Sequence, residues 1–144
     1  MERVKFKLPQ THLYTTSIKL MVMHMNYGNH LGNDSVLSLA QELRVNWLNS
    51  LGHSELDVDG IGLIQTDAMV IYKSEAHLAD EIRMDLYLGD FNSKAMDLYC
   101  QLTRISDNQE VARVKTGLLF FDYQTRKIAS MSESFSTYLG SRNV

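Results

Sequence analysis

Residues 26–52 read NYGNHLGNDSVLSLAQELRVNWLNSLG, a polar, glycine-punctuated loop that gives way to a helical period. Val36, Leu39, Ala40, Leu43 and Trp47 recur at three- and four-residue spacing, which gathers them on one face of a helix over Ser35–Leu51. Asn33 or Asp34 is placed to cap its start, and Gly52 suits the left-handed position that follows a helix end. A stripe that carries tryptophan needs deep cover. The rest of the chain must supply it.

Almost everything else has the period of a strand. Upstream, YTTSIKLMVMHM (14–25) sets Ile18, Leu20 and Val22 on one parity and Met21, Met23 and Met25 on the other, which predicts an interior strand covered on both faces. Downstream, GIGLIQTDAMVIY (60–72) is the first of a series. Ile82, Met84, Leu86 and Leu88 alternate with polar residues, as do Met96, Leu98, Cys100 and Leu102, with turns at 89–93 and 106–109. Val111–Tyr123 follows, then a turn at 124–127 and a short tail strand near Ile128–Met131. One strand, one long helix and an antiparallel meander make an α+β domain over residues 1–144, its curved antiparallel sheet wrapped around a long central helix.

Composition narrows the function classes. Hydrophobic residues make up 44% and charged residues 22%, which excludes a disordered chain. The formal charge of −3 lacks the basic field of a nucleic-acid binder. One cysteine, Cys100, excludes an internal disulfide and a cysteine-built zinc cage, and His12, His53 and His77 show no metal spacing. No apolar run approaches the ~18 residues of a membrane span. The opening MERVKFKLPQTH has no secretory apolar segment. A soluble, cytoplasmic protein without metal or membrane contact is expected.

The element order, with HMNYGNHLGN (24–33) between first strand and helix, resembles the hotdog fold, in particular the branch typified by 4-hydroxybenzoyl-CoA thioesterase. That branch carries a pattern close to D-x-D-x-x-G-H-x-x-N and an E-A-R triplet along the helix. Here His30 is similar to the motif histidine and Asn33 to its asparagine, with Glu42–Leu43–Arg44 at the triplet. Tyr72 with Ala79–Asp80, and ARVKTGLLFFD (112–122), resemble later strands of the family. The sequence departs from the pattern at the family's catalytic aspartate, which is Asn26 here, at the earlier aspartate, which is His24, and at the glycine, which is Asn29. An amide is no base and no carboxylate nucleophile.

The resemblance implies hydrolysis of an acyl-CoA thioester at a helix N-terminus, in a pocket completed by a second copy of the chain. Such chains pair into one continuous sheet as a homodimer or a dimer of dimers. No cofactor is needed beyond the coenzyme A of the substrate. The competing reading is a non-catalytic module that binds acyl-CoA or an acyl-carrier protein.

Thioester hydrolysis requires donors aimed at the carbonyl oxygen and a group that activates water. Unpaired N–H groups at Asn33–Asp34–Ser35 are the donor candidates. For the second role the candidates are Asp34, otherwise a helix cap, and Glu42, otherwise an ion-pair partner or a solvated face. Asn26 either positions water or simply makes a turn beside Gly28, and His30 either takes a proton or organises the loop. Asp67 interrupts the apolar parity of Ile61, Leu63, Met69 and Ile71, so it either pairs, with Arg44 the candidate, or lines a cavity. Arg113 and Lys115 share a strand face that suits coenzyme A phosphates or solvent.

Overall fold

The computed structural model describes residues 1–143, and Val144 lies outside them. The elements run β1 (Thr11–Lys19), a 3-10 turn (Val22–His24), α1 (Asn33–Ser50), β2 (Gly62–Tyr72), β3 (Glu81–Phe91), β4 (Ala95–Arg104), β5 (Gln109–Asp122), β6 (Lys127–Ile128) and α2 (Glu133–Arg142). Every strand pairing is antiparallel, in the order β1-β3-β4-β5-β2, with β6 folded back on β5. This is the arrangement the hotdog resemblance implies.

The stripe on α1 is buried as its spacing requires. Val36, Leu39, Ala40, Leu43, Trp47 and Leu48 are enclosed, with Trp47 only 1% exposed. Opposite them lie the inward residues of the meander, among them Ile82, Met84, Leu86, Leu98, Leu102, Val114 and Phe120. Each large side chain enclosed this way contributes roughly 1.5–3 kcal/mol. The sheet must curl to reach around a helix. Register shifts at His12/Tyr14, Gln65/Asp67, Leu88/Phe91 and Leu102/Thr103 add the local twist that lets it do so. The helix ends where expected. Gly52 takes φ +79°, its N–H bonds the Asn49 carbonyl, and His53 N–H returns to Leu48.

Three local expectations are corrected. The strand read over 14–25 begins earlier and stops at Lys19, on an edge of the sheet rather than inside it. His24 is buried and its Nδ1 accepts the Met21 N–H at 2.9 Å, closing a turn that takes the backbone out of the ladder. Met21 and Met23 are consequently exposed, at 50% and 76%. At the start of α1, Gly32 occupies the cap position and no side chain caps it, because Asn33 and Asp34 are already helical.

At the other end of the chain, the tail strand shrinks to Lys127–Ile128, and the chain then forms α2. Ser132 caps α2, accepting the Phe135 N–H at 3.0 Å, and Asp59 accepts from Ser132 Oγ at 2.6 Å. Phe135 and Leu139, one turn apart, are both buried. Phe135 meets the rings of Trp47, Phe120, His53 and Tyr138, so α2 closes the core beside the second half of α1.

If α2 is part of the core, Phe135→Ala should lower the unfolding free energy by about 3–5 kcal/mol in urea denaturation. Leu56→Ala, at a 71% exposed side chain, should change it by less than about 0.5 kcal/mol. Equal effects of the two substitutions would show that α2 only rests on the surface.

Candidate functional site

The loop that delivers the chain to α1 is organised by one amide. Asn26 Oδ1 accepts N–H bonds from Gly28 at 2.9 Å and His30 at 3.3 Å. The backbone of Asn26 adds two more, donating to the His30 carbonyl and accepting from Asn29 N–H. Inside this turn Asn29 adopts φ +64°. That left-handed conformation explains why the family pattern has glycine there and why asparagine is tolerated. With its oxygen occupied, Asn26 has only its Nδ2 hydrogens to offer a ligand.

The loop is also pinned from both flanks. Gly32 N–H bonds the His24 carbonyl at 3.0 Å and Leu31 N–H bonds the Ala76 carbonyl at 2.7 Å. His30 Nδ1 lies 3.4 Å from the Leu31 carbonyl oxygen, a contact within the loop itself.

These constraints leave the start of α1 uncapped by any side chain. Its first N–H groups, at Asn33, Asp34 and Ser35, have no intrahelical acceptor and carry the positive end of the helix dipole. Beside the helix start is a cavity of about 240 Å³ lined by His30, Leu31, Asn33, Val36, Tyr72, Glu75 and neighbouring residues. Tyr72 Oη donates to the Asn33 carbonyl at 3.1 Å, tying the end of β2 to the first residue of the helix. At Gly32 the absence of a side chain leaves room for the Asp34 carboxylate. A Cβ there would come 2.7 Å from Asp34 Oδ1 and 3.6 Å from the Cβ of Asn26. Asp34 and Asn26 therefore flank the same point at the helix start. Glu42 is exposed and lies about 12 Å further along the axis, eight residues at ~1.5 Å each.

The remaining sequence candidates lie elsewhere. Asp67 is paired, but with Lys115 Nζ at 2.7 Å and the Gly117 N–H at 3.1 Å rather than with Arg44. The cause is the register shift at Gln65/Asp67. Leu63 opposes the core residue Phe120, whereas Asp67 opposes Gly117 on the outer face. Arg44 is buried and bonds Glu55 and Gln65, fastening α1 to the 52–61 loop and to β2.

Lys115 also meets Asp97 at 3.3 Å. Burial alone would lower its ammonium pKa, but the Asp67 and Asp97 carboxylates outweigh that and hold it above the usual lysine value. Arg113 is bound through Nε to Glu110 at 2.9 Å and through Nη1 to the Phe6 carbonyl at 3.2 Å. Both cations are engaged, on the sheet face opposite α1.

The sequence reading passed over Glu75. It lines the cavity, and its largely exposed carboxylate lies 3.8 Å from His77 Nε2. Long-range bonds from Leu31 to Ala76 and from Tyr72 to Asn33 bring that segment to the helix start, and no periodicity reports such bonds. Cys100 is enclosed, and burial pushes its thiol well up, so it is no nucleophile. Among the described residues no group of three His, Cys, Asp or Glu side chains is placed to hold a metal ion, and no helix is long and apolar enough to cross a membrane.

Solved structures share this fold. A 1,4-dihydroxy-2-naphthoyl-CoA thioesterase from Synechocystis superposes with TM-score 0.80 at 16% identity, over 91% of this chain and 98% of that one. A protein from Staphylococcus aureus solved in complex with CoA gives 0.82 at 20% identity, covering 96% and 87%. A DHNA-CoA thioesterase from Staphylococcus aureus gives 0.77 at 14%, covering 90% and 87%. No curated protein matches the sequence. The model of one family matches residues 21–139, a span that holds the Asn26 turn, all of α1 and strands β2 to β6. The chain belongs to the thioesterase-like superfamily.

Proposed function

We propose that this protein hydrolyses acyl-CoA thioesters at the start of α1. The observation that carries the reading is the uncapped helix start, with the Asp34 carboxylate and the Cβ of Asn26 both beside Gly32 and a cavity lined by Asn33 and Val36 of the same helix start. The thioester carbonyl oxygen lies against the N–H groups of Asn33–Ser35, where the negative charge of the tetrahedral intermediate is stabilised. Asp34 takes a proton from water as the water oxygen bonds the carbonyl carbon. Collapse breaks the C–S bond, and the proton passes to the departing thiolate. A carboxylic acid and free coenzyme A leave. Asn26 orients the water or the carbonyl through Nδ2, and His30 holds the loop in place. Glu42 stands too far along the helix for the same carbonyl, so Asp34 is the preferred base.

The pocket is completed by a second copy. β2 is an edge strand, and along it Ile64, Met69 and Tyr72 are exposed, an unprotected apolar edge that invites pairing. Two chains joined through β2 form one continuous sheet with both helices on the same side. A homodimer, or a dimer of such dimers, is the working unit.

Release of free thiol from a panel of acyl-CoAs tests the chemistry. Wild type should turn over, and Asp34→Asn should lower kcat by about 100-fold or more, the scale of general-base catalysis, with unchanged melting. Asparagine keeps the shape of aspartate, and Asp34 makes no cap bond that the change would remove, so that loss would report charge rather than folding. Glu42→Gln should have little effect. If Asn26→Asp instead raises turnover from near zero, the missing family aspartate was the only base. Binding of acyl-CoA or an acyl-carrier protein without turnover would establish the non-catalytic module. In sedimentation velocity at micromolar concentration the chain should run as a dimer or tetramer, and a monomer alone would contradict the shared pocket.

A further inference from the structure

Residues 3–7 lie along the outer face of the sheet, on the side away from α1. The Phe6 ring meets Tyr99 edge-on at 5.6 Å, and its carbonyl accepts from Arg113. This anchoring holds Arg3, Lys5 and Lys7, at alternate positions, beside the end of β2. Together with Val4, Ile71 and Lys73 they line a groove of about 720 Å³, within the range of small-ligand sites. Among the described residues, no carboxylate comes within 4 Å of Arg3, Lys5 or Lys7. The nearest to Lys73 is Glu110, 4.0 Å away and already bonded by Arg113. Four cations therefore converge on one hollow of a chain whose formal charge is −3. Like charges gathered this closely repel one another, and a polyanion relieves that repulsion.

The groove adjoins the candidate active site at the end of β2. Both hollows are lined by Tyr72 and Lys73. Tyr72 opposes the core residue Ala112 and reaches the helix start, whereas Ile71 opposes Arg113 on the outer face. A ligand leaving the start of α1 thus rounds the end of β2 and arrives at the cations.

We infer that this groove binds the phosphates of coenzyme A, the 3′-phosphate and diphosphate of its nucleotide end, with Arg3, Lys5, Lys7 and Lys73 as the anion-binding side chains. The inference rests on the proposed hydrolysis for the placement of the acyl end. Apolar Val4 and Ile71 give the adenine a surface. A carrier protein presents a single phosphate on its pantetheine arm, so a four-cation groove favours the nucleotide.

Calorimetric titration of wild type and an Arg3→Ala/Lys5→Ala/Lys7→Ala triple variant with coenzyme A, 3′-dephospho-coenzyme A and pantetheine tests the assignment. Wild type should prefer them in that order, and its coenzyme A affinity should fall as salt rises. The triple variant should lose about tenfold or more in coenzyme A affinity, the sum of several exposed charge contacts, with pantetheine binding unchanged. Turnover of an acyl-pantetheine should also be unchanged, because the three side chains stand outside the reacting centre. Coenzyme A affinity that is equal in the two proteins, or no better than that of pantetheine, would overturn the site. So would an acyl-carrier protein that binds more tightly than acyl-CoA and loses that affinity in the triple variant. Charge-dependent coenzyme A binding without release of thiol from any acyl-CoA would support the site and refute hydrolysis. Hydrolysis with a KM unmoved by the triple substitution would do the reverse.

Discussion

Burying Trp47, Leu43 and Leu48 of one helix inside a single sheet is the constraint on which the rest of the structure depends. A flat sheet covers one side of a helix, so the strands must twist, and four register shifts mark where they do. Even so, the sheet does not cover everything. α2 completes the enclosure with Phe135, and at the other end the start of α1 emerges beside the Asn26 turn. The enclosure that stabilises the helix thus also fixes its positive end against a cavity. Stability and the proposed chemistry share one cause.

Charge is sorted across the two faces of the sheet in a way that supports this division. On the outer face Asp67, Asp97 and Glu110 hold Lys115 and Arg113 in pairs, which fastens neighbouring strands and leaves neither side chain free. Gly117 belongs to the same arrangement. A Cβ there would sit 2.8 Å from Asp67 Cγ, so glycine makes the room that the carboxylate occupies. The cations without such partners are on the lead-in segment, where the groove leads from the end of β2. Arg113 contributes there indirectly, by gripping the Phe6 backbone rather than a ligand.

Much of the fold was legible because burial writes itself as period. The α1 stripe, the Gly52 stop and the alternation of β3 and β4 are all local patterns, and all stand in the structure. The failures share a different origin. The methionine run after Lys19 alternates like a strand, but a single bond from Met21 N–H to His24 Nδ1 ends the ladder, and no periodicity reports it. In α2 only Phe135 and Leu139 are buried, too few to outweigh the serines and Gly140 around them, although Ser132 and Glu133 did mark a helix start. The face of Asp67 depends on a bulge in the pairing of two strands, which its own strand does not reveal. At the site, the loop motif singles out His30 and Asn33, which line the cavity, whereas Tyr72 and Glu75 join them through long-range contacts.

The central claim is that the thioester carbonyl docks on the first N–H groups of α1. The most direct measurement is the backbone amide spectrum of the protein titrated with a non-hydrolysable acyl-CoA analogue. The account predicts the largest shifts at Asn33, Asp34 and Ser35, with Asn26 responding through the shared space at Gly32. Saturable shifts confined to other segments, with residues 33–35 silent, would contradict it.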